Sequence, residues 1–207
     1  QKTAGHAAEI YNYYKEQGWK YQQYIACLDP LGEDRGKTPY ALNPEQYGMF
    51  LTELFNLWYE DWKKGEQPYI RQFENYIGIL LGYQPESCEQ RGSCGTQNVV
   101  EADGSVYPCD FYALDEYKLG NFNCNRLEEI DKKRKEIAFV EQSQIVAENC
   151  KNCKFYKICK GGCRRNKDFN AMNGEYENYF CKSYRIFFDI CLERMIQIVE
   201  IIKNQKG

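Results

Sequence analysis

The sequence predicts an α+β fold in two parts, with a domain boundary near residue 82. Residues 1–82 alternate short aromatic strand patterns with helical patterns, which is typical of the closing β/α units of a barrel or an open sheet. Residues 83–207 concentrate the cysteines and contain a hairpin signal and a long apolar C-terminal helix. We therefore expect a β/α part followed by a cysteine-rich domain.

The first part shows one strong helix start. Asn43 has the side chain of an N-cap, Pro44 occupies the first helical position, and Gln46 follows three residues after the cap. Aromatic and aliphatic residues then recur at helical spacing, and we interpret this stripe as core. The predicted elements are a helix over 3–17, a strand over 19–27, the helix after Asn43, a strand over 68–73 and a helix through Leu81.

The second part contains a hairpin signal at Asp103-Gly104, the dipeptide favoured by type I′ turns. Such a turn would bring Cys109 back towards Cys94. The expected pairs are Ala102 with Ser105, Val100 with Tyr107 and Asn98 with Cys109. A charged helix is predicted over 126–143, where we interpret the basic run 132–135 as a solvated face. A last helix over 179–203 carries an apolar stripe that we expect to pack across both parts.

Composition excludes several classes of protein. The net charge is −3 and the isoelectric point is near 5.5, which argues against a nucleic-acid partner. No apolar run reaches the length of a membrane span and no secretory signal opens the sequence, so we expect a cytoplasmic protein without a membrane partner. We also expect a monomer. Because the sequence opens on Gln1, we expect it to be a piece of a longer polypeptide.

The cysteines carry the strongest signal. One run has the spacing C-x2-C-x5-C-x3-C and is closed by a fifth cysteine, and three more cysteines lie upstream. Together they supply eight thiols, the number required by two four-iron clusters bound only by cysteine. A disulfide framework usually occupies a smaller, loop-dominated domain, so metal binding fits better, although four thiolates also suit zinc. The eight are Cys88, Cys94, Cys109, Cys150, Cys153, Cys159, Cys163 and Cys181.

This pattern resembles the SPASM extension of radical S-adenosylmethionine enzymes, which reads C-x9–15-G-x4-C followed by the run described above. Cys94, Gly104 and Cys109 match its first half. The segments 27–31, 57–61, 100–112 and 159–165 are similar, more narrowly, to the anaerobic sulfatase-maturating enzymes. The resemblance extends over nearly all of this sequence but only over the C-terminal half of that family's length.

The resemblance implies the last β/α units of a partial (β/α)6 radical SAM barrel, followed by a SPASM domain with two [4Fe-4S] clusters. The two ligand sets that it implies are Cys88, Cys94, Cys109 and Cys163 for the first cluster, and Cys150, Cys153, Cys159 and Cys181 for the second. Asp110 matches the general base of the family. The implied activity converts a Cys or Ser of a sulfatase polypeptide, the substrate partner, to Cα-formylglycine.

Radical chemistry in this superfamily starts at a C-x3-C-x2-C motif, and that spacing does not occur in these 207 residues. S-adenosylmethionine and a third [4Fe-4S] cluster are therefore expected only in the full-length enzyme. An N-terminal radical SAM region would be needed as the partner of this chain, which is not expected to be active alone.

Three cysteines remain outside the pattern. We expect Cys27 and Cys191 to be small buried hydrophobes, whereas Cys124 is uninformative. For Arg164 and Arg165 three roles stay open: they offset the negative charge of a cluster, contact a peptide substrate, or lie on the protein surface.

Three other functions compete with this interpretation: a SPASM enzyme acting on another ribosomal peptide, a non-catalytic zinc module, and an electron-transfer protein. The barrel-like first part disfavours the electron-transfer protein.

Overall fold

The computed structural model describes residues 2–205 and has the predicted α+β class. Its helices in that range are α1 (Ala7–Glu16), α2 (Pro44–Trp62), α3 (Arg71–Leu80), α4 (Cys88–Arg91), α5 (Leu127–Glu136), α6 (Phe139–Ser143), α7 (Glu148–Lys151), α8 (Tyr156–Cys159) and α9 (Cys181–Asn204). The strands are β1 (Tyr21–Gln22), β2 (Tyr69–Ile70), β3 (Val99–Val100), β4 (Ser105–Tyr107), β5 (Gly120–Asn121), β6 (Lys167–Asn170) and β7 (Glu175–Asn178). Across residues 2–205, none of these helices is both long and apolar enough to cross a membrane.

A single parallel β/α unit forms the first part. β1 pairs in parallel with β2, and α2 connects them, as the alternating pattern predicted. The Asn43 side chain accepts a hydrogen bond from the backbone of Gln46 at 2.8 Å, which confirms the predicted helix start. The strands are much shorter than predicted, because the partner strand is confined between Pro68, which has no N–H to donate, and α3, which begins at Arg71.

The core joins the two sequence parts. α9 packs against α2 and α3, as its apolar stripe predicted. The Phe187 ring lies 5.9 Å from both the Phe55 and the Phe73 rings, measured between ring centroids. Gly48 allows α2 to approach α9 closely, since a Cβ at that position would lie 3.0 Å from the Cα of Ser183. Residues on both sides of position 82 thus share one buried cluster.

The hairpin at Asp103-Gly104 is present, but its predicted register is wrong by one residue. Val99 pairs with Tyr107 and Val100 with Val106, so the loop has three residues rather than two. Gly104 adopts φ +83°, and its N–H donates to the carbonyl of Glu101 at 2.9 Å. The Asp103 carboxylate instead accepts from the backbone and the hydroxyl of Ser105, at 2.9 and 2.7 Å, which favours the longer loop over type I′.

The predicted charged helix is divided in two. Ala138 takes a left-handed conformation with φ 47° and separates α5 from α6. The face carrying the basic run is solvated as predicted except at Arg134, which is buried and donates to the side-chain oxygen of Asn98. The last helix covers the predicted range within two residues at each end.

Candidate metal centres

We name the first predicted ligand set, Cys88, Cys94, Cys109 and Cys163, the first thiol group. Burial raises the pKa of Cys163 to about 12, a backbone N–H of Arg165 lowers it, and the charges of Glu89, Cys88 and Cys94 raise it further. Burial likewise raises the pKa of Cys109 to about 12, with smaller increases from Asp110 and Cys94. These charge effects indicate that the four thiols lie in the same region of the structure.

The other four predicted ligands form the second thiol group. Burial raises the pKa of Cys159 to about 12, and the charges of Cys181, Cys150 and Cys153 raise it further. The pKa of Cys150 is raised by burial and then by Cys181 and Cys153. The thiolate charges that act on Cys150 and Cys159 thus come from other members of the same predicted ligand set, and the division of the eight thiols into two sets stays a prediction.

A sharp reversal of the chain connects the second thiol group to the first. Lys160, Gly161 and Gly162 follow one another with φ of 55°, 81° and 72°, between Cys159 of the second group and Cys163 of the first. Only glycine adopts such angles without cost, and Lys160 does so at the end of α8. The reversal turns the chain out of one thiol group and into the other within four residues.

Residues that sequence analysis missed fix the first thiol group. Glu89, next to Cys88, accepts from the Tyr184 hydroxyl at 2.6 Å and from the Asn166 side chain at 3.4 Å, which ties α4 to α9. The backbone N–H of Cys94 donates to the Ser143 hydroxyl at 2.8 Å. These partners come from distant segments, so local sequence carries no signal for them.

The donor chemistry fits two iron–sulfur clusters. Each predicted set offers four sulfur atoms. The backbone N–H of Arg165 donates to the sulfur of Cys163 at 3.4 Å, and the backbone N–H of Gly161 lowers the pKa of Cys159. Four thiolates with N–H donors are the ligand set of cysteine-bound four-iron clusters, and four thiolates can also bind zinc. Among residues 2–205, no three Cys, His, Asp or Glu side chains converge closely enough to chelate a single metal ion.

Asp110 lies beside the first thiol group. It begins a 3₁₀ turn, Asp110–Tyr112, directly after Cys109, and its carboxylate accepts from the Cys109 thiol at 3.1 Å. Asp110 is exposed and lines a cavity of about 570 Å³ together with Cys88 and Cys163. Tyr24 and Arg71 of the first part line the same cavity, so it opens between the β/α unit and the cysteine-rich segment.

The three cysteines outside the predicted ligand sets have three different environments. Cys191 is fully buried in the core, which confirms its predicted role. The prediction for Cys27 was wrong: it is exposed, because β1 ends at Gln22 and no sheet extends far enough to cover it. Cys124 is exposed in the turn after β5.

The two arginines are not simple surface residues. Arg165 is only 6% exposed and donates to the carbonyl of Asp29. Arg164 places its guanidinium 4.5 Å from the centroid of the Phe139 ring and donates to the carbonyl of the same residue at 2.7 Å. Arg164 also lowers the pKa of Cys94 through its charge, while burial remains the larger effect and raises that pKa.

Comparison with known proteins identifies the family. Residues 88–154 match the model of the SPASM iron–sulfur cluster-binding domain. The cysteine-type anaerobic sulfatase-maturating enzyme of Clostridium perfringens (strain 13 / Type A) is 45% identical over 201 residues, which make up 97% of this chain and 54% of that protein. This chain is a homologue of the anaerobic sulfatase-maturating enzymes. It corresponds to their C-terminal half and spans about half the length of the curated relatives it matches.

Both substrate types of anaerobic sulfatase-maturating enzyme are represented among the relatives. The serine-type enzyme of Bacteroides thetaiotaomicron is 29% identical over 222 residues, covering 99% of this chain and 53% of that protein. The solved structure of native anSMEcpe with bound AdoMet and Cp18Cys peptide superimposes with a TM-score of 0.89 at 43% identity. That match covers 97% of this chain and 56% of the solved one, and it supports the fold as that of a sulfatase-maturating enzyme.

Proposed function

We propose that this chain is the cluster-binding part of a radical SAM enzyme that converts a cysteine of a sulfatase polypeptide to Cα-formylglycine. Residues 1–82 would close the radical SAM barrel, and residues 83–207 would form the SPASM domain. The observation that carries the proposal is the position of Asp110. Its carboxylate is hydrogen-bonded to the Cys109 thiol of the first thiol group, and it lines the cavity between the β/α unit and the cysteine-rich segment.

The first thiol group would hold one [4Fe-4S] cluster and the second thiol group the other. When bound, these clusters would supply an acceptor for the electron that the oxidation releases. The substrate residue would lose a hydrogen atom from Cβ to the radical generated in the N-terminal radical SAM region, a proton from its thiol to Asp110, and one electron, which leaves a thioaldehyde. Water then replaces the sulfur, which gives the aldehyde and hydrogen sulfide.

Asp110 would accept the thiol proton. In the structure its carboxylate oxygen receives the hydrogen bond of the Cys109 thiol. A metal-bound thiolate has no proton to donate, so cluster binding would free this oxygen for the substrate. The backbone of Asp110 is fixed by its neighbour Cys109, which keeps the base within reach of the cavity.

Cysteine rather than serine is the proposed substrate residue. Identity to the cysteine-type enzyme of C. perfringens is 45%, against 29% to the serine-type enzyme of B. thetaiotaomicron, over nearly the whole chain in both cases. We further propose a monomer that works in the cytoplasm without a membrane partner. The net charge of −3 supports the absence of a nucleic-acid partner.

The decisive experiment uses the longer protein that includes the N-terminal radical SAM region, reconstituted anaerobically and given sulfatase peptides with Cys or Ser at the modified position. We expect formylglycine from the Cys peptide, detected by mass spectrometry. Asp110→Asn keeps the shape and removes the basicity, so product should fall by roughly 10²-fold or more. Iron content and cleavage of S-adenosylmethionine should remain near those of the wild type.

Three results would contradict the proposal. Normal product from Asp110→Asn would remove this residue from the mechanism. Modification of an unrelated ribosomal peptide, with none of the sulfatase peptides, would favour another SPASM activity. Tight binding of two zinc ions without iron uptake would favour the zinc module.

A further inference from the structure

Lys167 lies where the chain passes between the two thiol groups. It is the first residue of β6, directly after the 3₁₀ turn Arg164–Asn166 that Cys163 precedes. Its ammonium donates to the carbonyl oxygens of Ser143 and Ile145, at 3.0 and 3.4 Å. Within residues 2–205 it forms no ion pair with a carboxylate.

The two carbonyl partners connect Lys167 to both groups. Ser143 is the residue whose hydroxyl accepts the backbone N–H of Cys94, in the first thiol group. Ile145 lies in the short segment that leads into α7, which carries Cys150 of the second thiol group. The ammonium is therefore held at the junction of the two groups by backbone carbonyls, which leave its positive charge uncompensated.

The electrostatics of Lys167 agree with this position. Burial lowers its pKa, the charges of Cys150, Cys163 and Cys94 raise it, and the charge of Arg164 lowers it by a smaller amount. These three thiols include members of both groups. Arg164 differs, because its guanidinium is engaged by the Phe139 carbonyl and the Gln142 side chain, at 2.7 Å each, beside Cys94 of the first group alone.

We propose that the Lys167 ammonium is a counter-charge shared by both clusters, which favours the reduced form of each. The inference rests on the proposed function, since it requires that both thiol groups bind clusters. A cluster bound by four thiolates carries negative charge, and reduction adds another electron to it. A fixed positive charge at short range lowers the energy of the reduced form, so one side chain adjusts both reduction potentials in the same direction.

The test is a redox titration of the 207-residue chain, reconstituted anaerobically with iron and sulfide and reduced stepwise by dithionite under EPR detection. In Lys167→Met and Lys167→Gln, we expect the ratio of reduced to oxidised cluster at a fixed potential to fall about tenfold for both clusters. For a one-electron couple this equals a shift of about 59 mV. Lys167→Arg should restore both potentials, and Lys132→Met, which removes an exposed charge from α5, should change neither.

The outcomes separate charge from structure. The proposal is overturned if the reduction potential of only one cluster shifts, or if neither shifts. It is also overturned if Lys167→Gln keeps the wild-type potentials, because Gln keeps a hydrogen-bond donor without the charge. If the neutral variants lose iron, full iron content in Lys167→Arg supports the proposal, and equal loss in Lys167→Arg overturns it. A wild type that takes up no iron contradicts the proposed function instead, before Lys167 is altered.

Discussion

The side-chain amide of Asn178 donates to the carbonyl oxygen of Gly161 at 2.9 Å. The same Asn178 side chain accepts the backbone N–H of Phe180 at 2.7 Å, just before Cys181 begins α9. One buried amide thus joins the chain reversal at Gly161–Gly162 to the segment that supplies the last predicted ligand of the second thiol group. This contact fixes two ligand segments relative to each other.

Gly162→Ala should destabilise the chain more than Gly161→Ala. Both glycines have positive φ, so each substitution costs about 1–2 kcal/mol in backbone strain. At Gly162 the added methyl would also collide with the Asn178 amide, whereas nothing lies within 4 Å of a Cβ at Gly161. Urea unfolding under anaerobic, reducing conditions measures the difference. Equal loss in both variants would show that the Asn178 contact is unimportant.

Cys163→Ala should remove iron from the first cluster and loosen the second, because Cys163 ends the reversal that connects the two thiol groups. The matched control is Cys191→Ala, which truncates a fully buried core cysteine. It should cost about 1–2 kcal/mol of stability and leave the iron content unchanged. Iron analysis after reconstitution distinguishes them, and loss of iron from the Cys191 variant would mean that the ligands are wrongly assigned.

Gly48→Ala should destabilise the contact between α2 and α9. A methyl group there would lie 3.0 Å from the Cα and the carbonyl oxygen of Ser183, and overpacking of this kind costs about 1–3 kcal/mol. Gly78→Ala in α3 is the control, because its nearest neighbour would be Tyr83 Cβ at 3.9 Å. That variant should gain up to about 1 kcal/mol from helix propensity. Thermal unfolding would contradict the expectation if the two variants shifted Tm equally.

Stability in acid should depend on Asp61. Burial raises its pKa, but hydrogen bonds from Lys15 at 2.5 Å and Tyr11 at 2.6 Å lower it more, so the folded-state pKa lies below the usual value near 3.8. The ionised form therefore stabilises the fold above that usual value, and this contribution disappears as the pH falls through the lower folded-state pKa.

Asp61→Asn should accordingly lose less stability than the wild type between about pH 5 and pH 2. Glu60→Gln is the control, since Glu60 forms only an exposed pair with Lys63. The measurement is the unfolding midpoint of the wild type and of both variants across this pH range. Parallel curves for the wild type and Asp61→Asn would show that Asp61 does not link protonation to folding.

Local chemistry made part of this structure predictable. The cap at Asn43 acts over a few residues, so the start of α2 follows from a short pattern, and the spacing of the cysteines marks eight candidate ligands. The resemblance to the family supplied the division of the eight thiols. The place of Asp110 beside Cys109 followed from adjacency alone.

Tertiary partners explain what could not be predicted. The hairpin register depends on the Asp103 carboxylate binding Ser105 rather than leaving a two-residue turn. β1 pairs over two residues only, because β2 ends where α3 begins at Arg71, and Cys27 lies in the irregular segment after β1. Ser143 and Lys167 approach the thiol groups from segments far away in sequence, where no spacing rule applies.

The members of the two thiol groups alternate along the sequence, and the chain reversal at residues 160–162 connects one group to the other. The first group receives its fourth member only after three members of the second have been passed, and the second is completed last, by Cys181. During synthesis, neither set is whole until its distant member has left the ribosome. A graft that transplants one predicted ligand set as a single continuous segment would carry part of the other set with it.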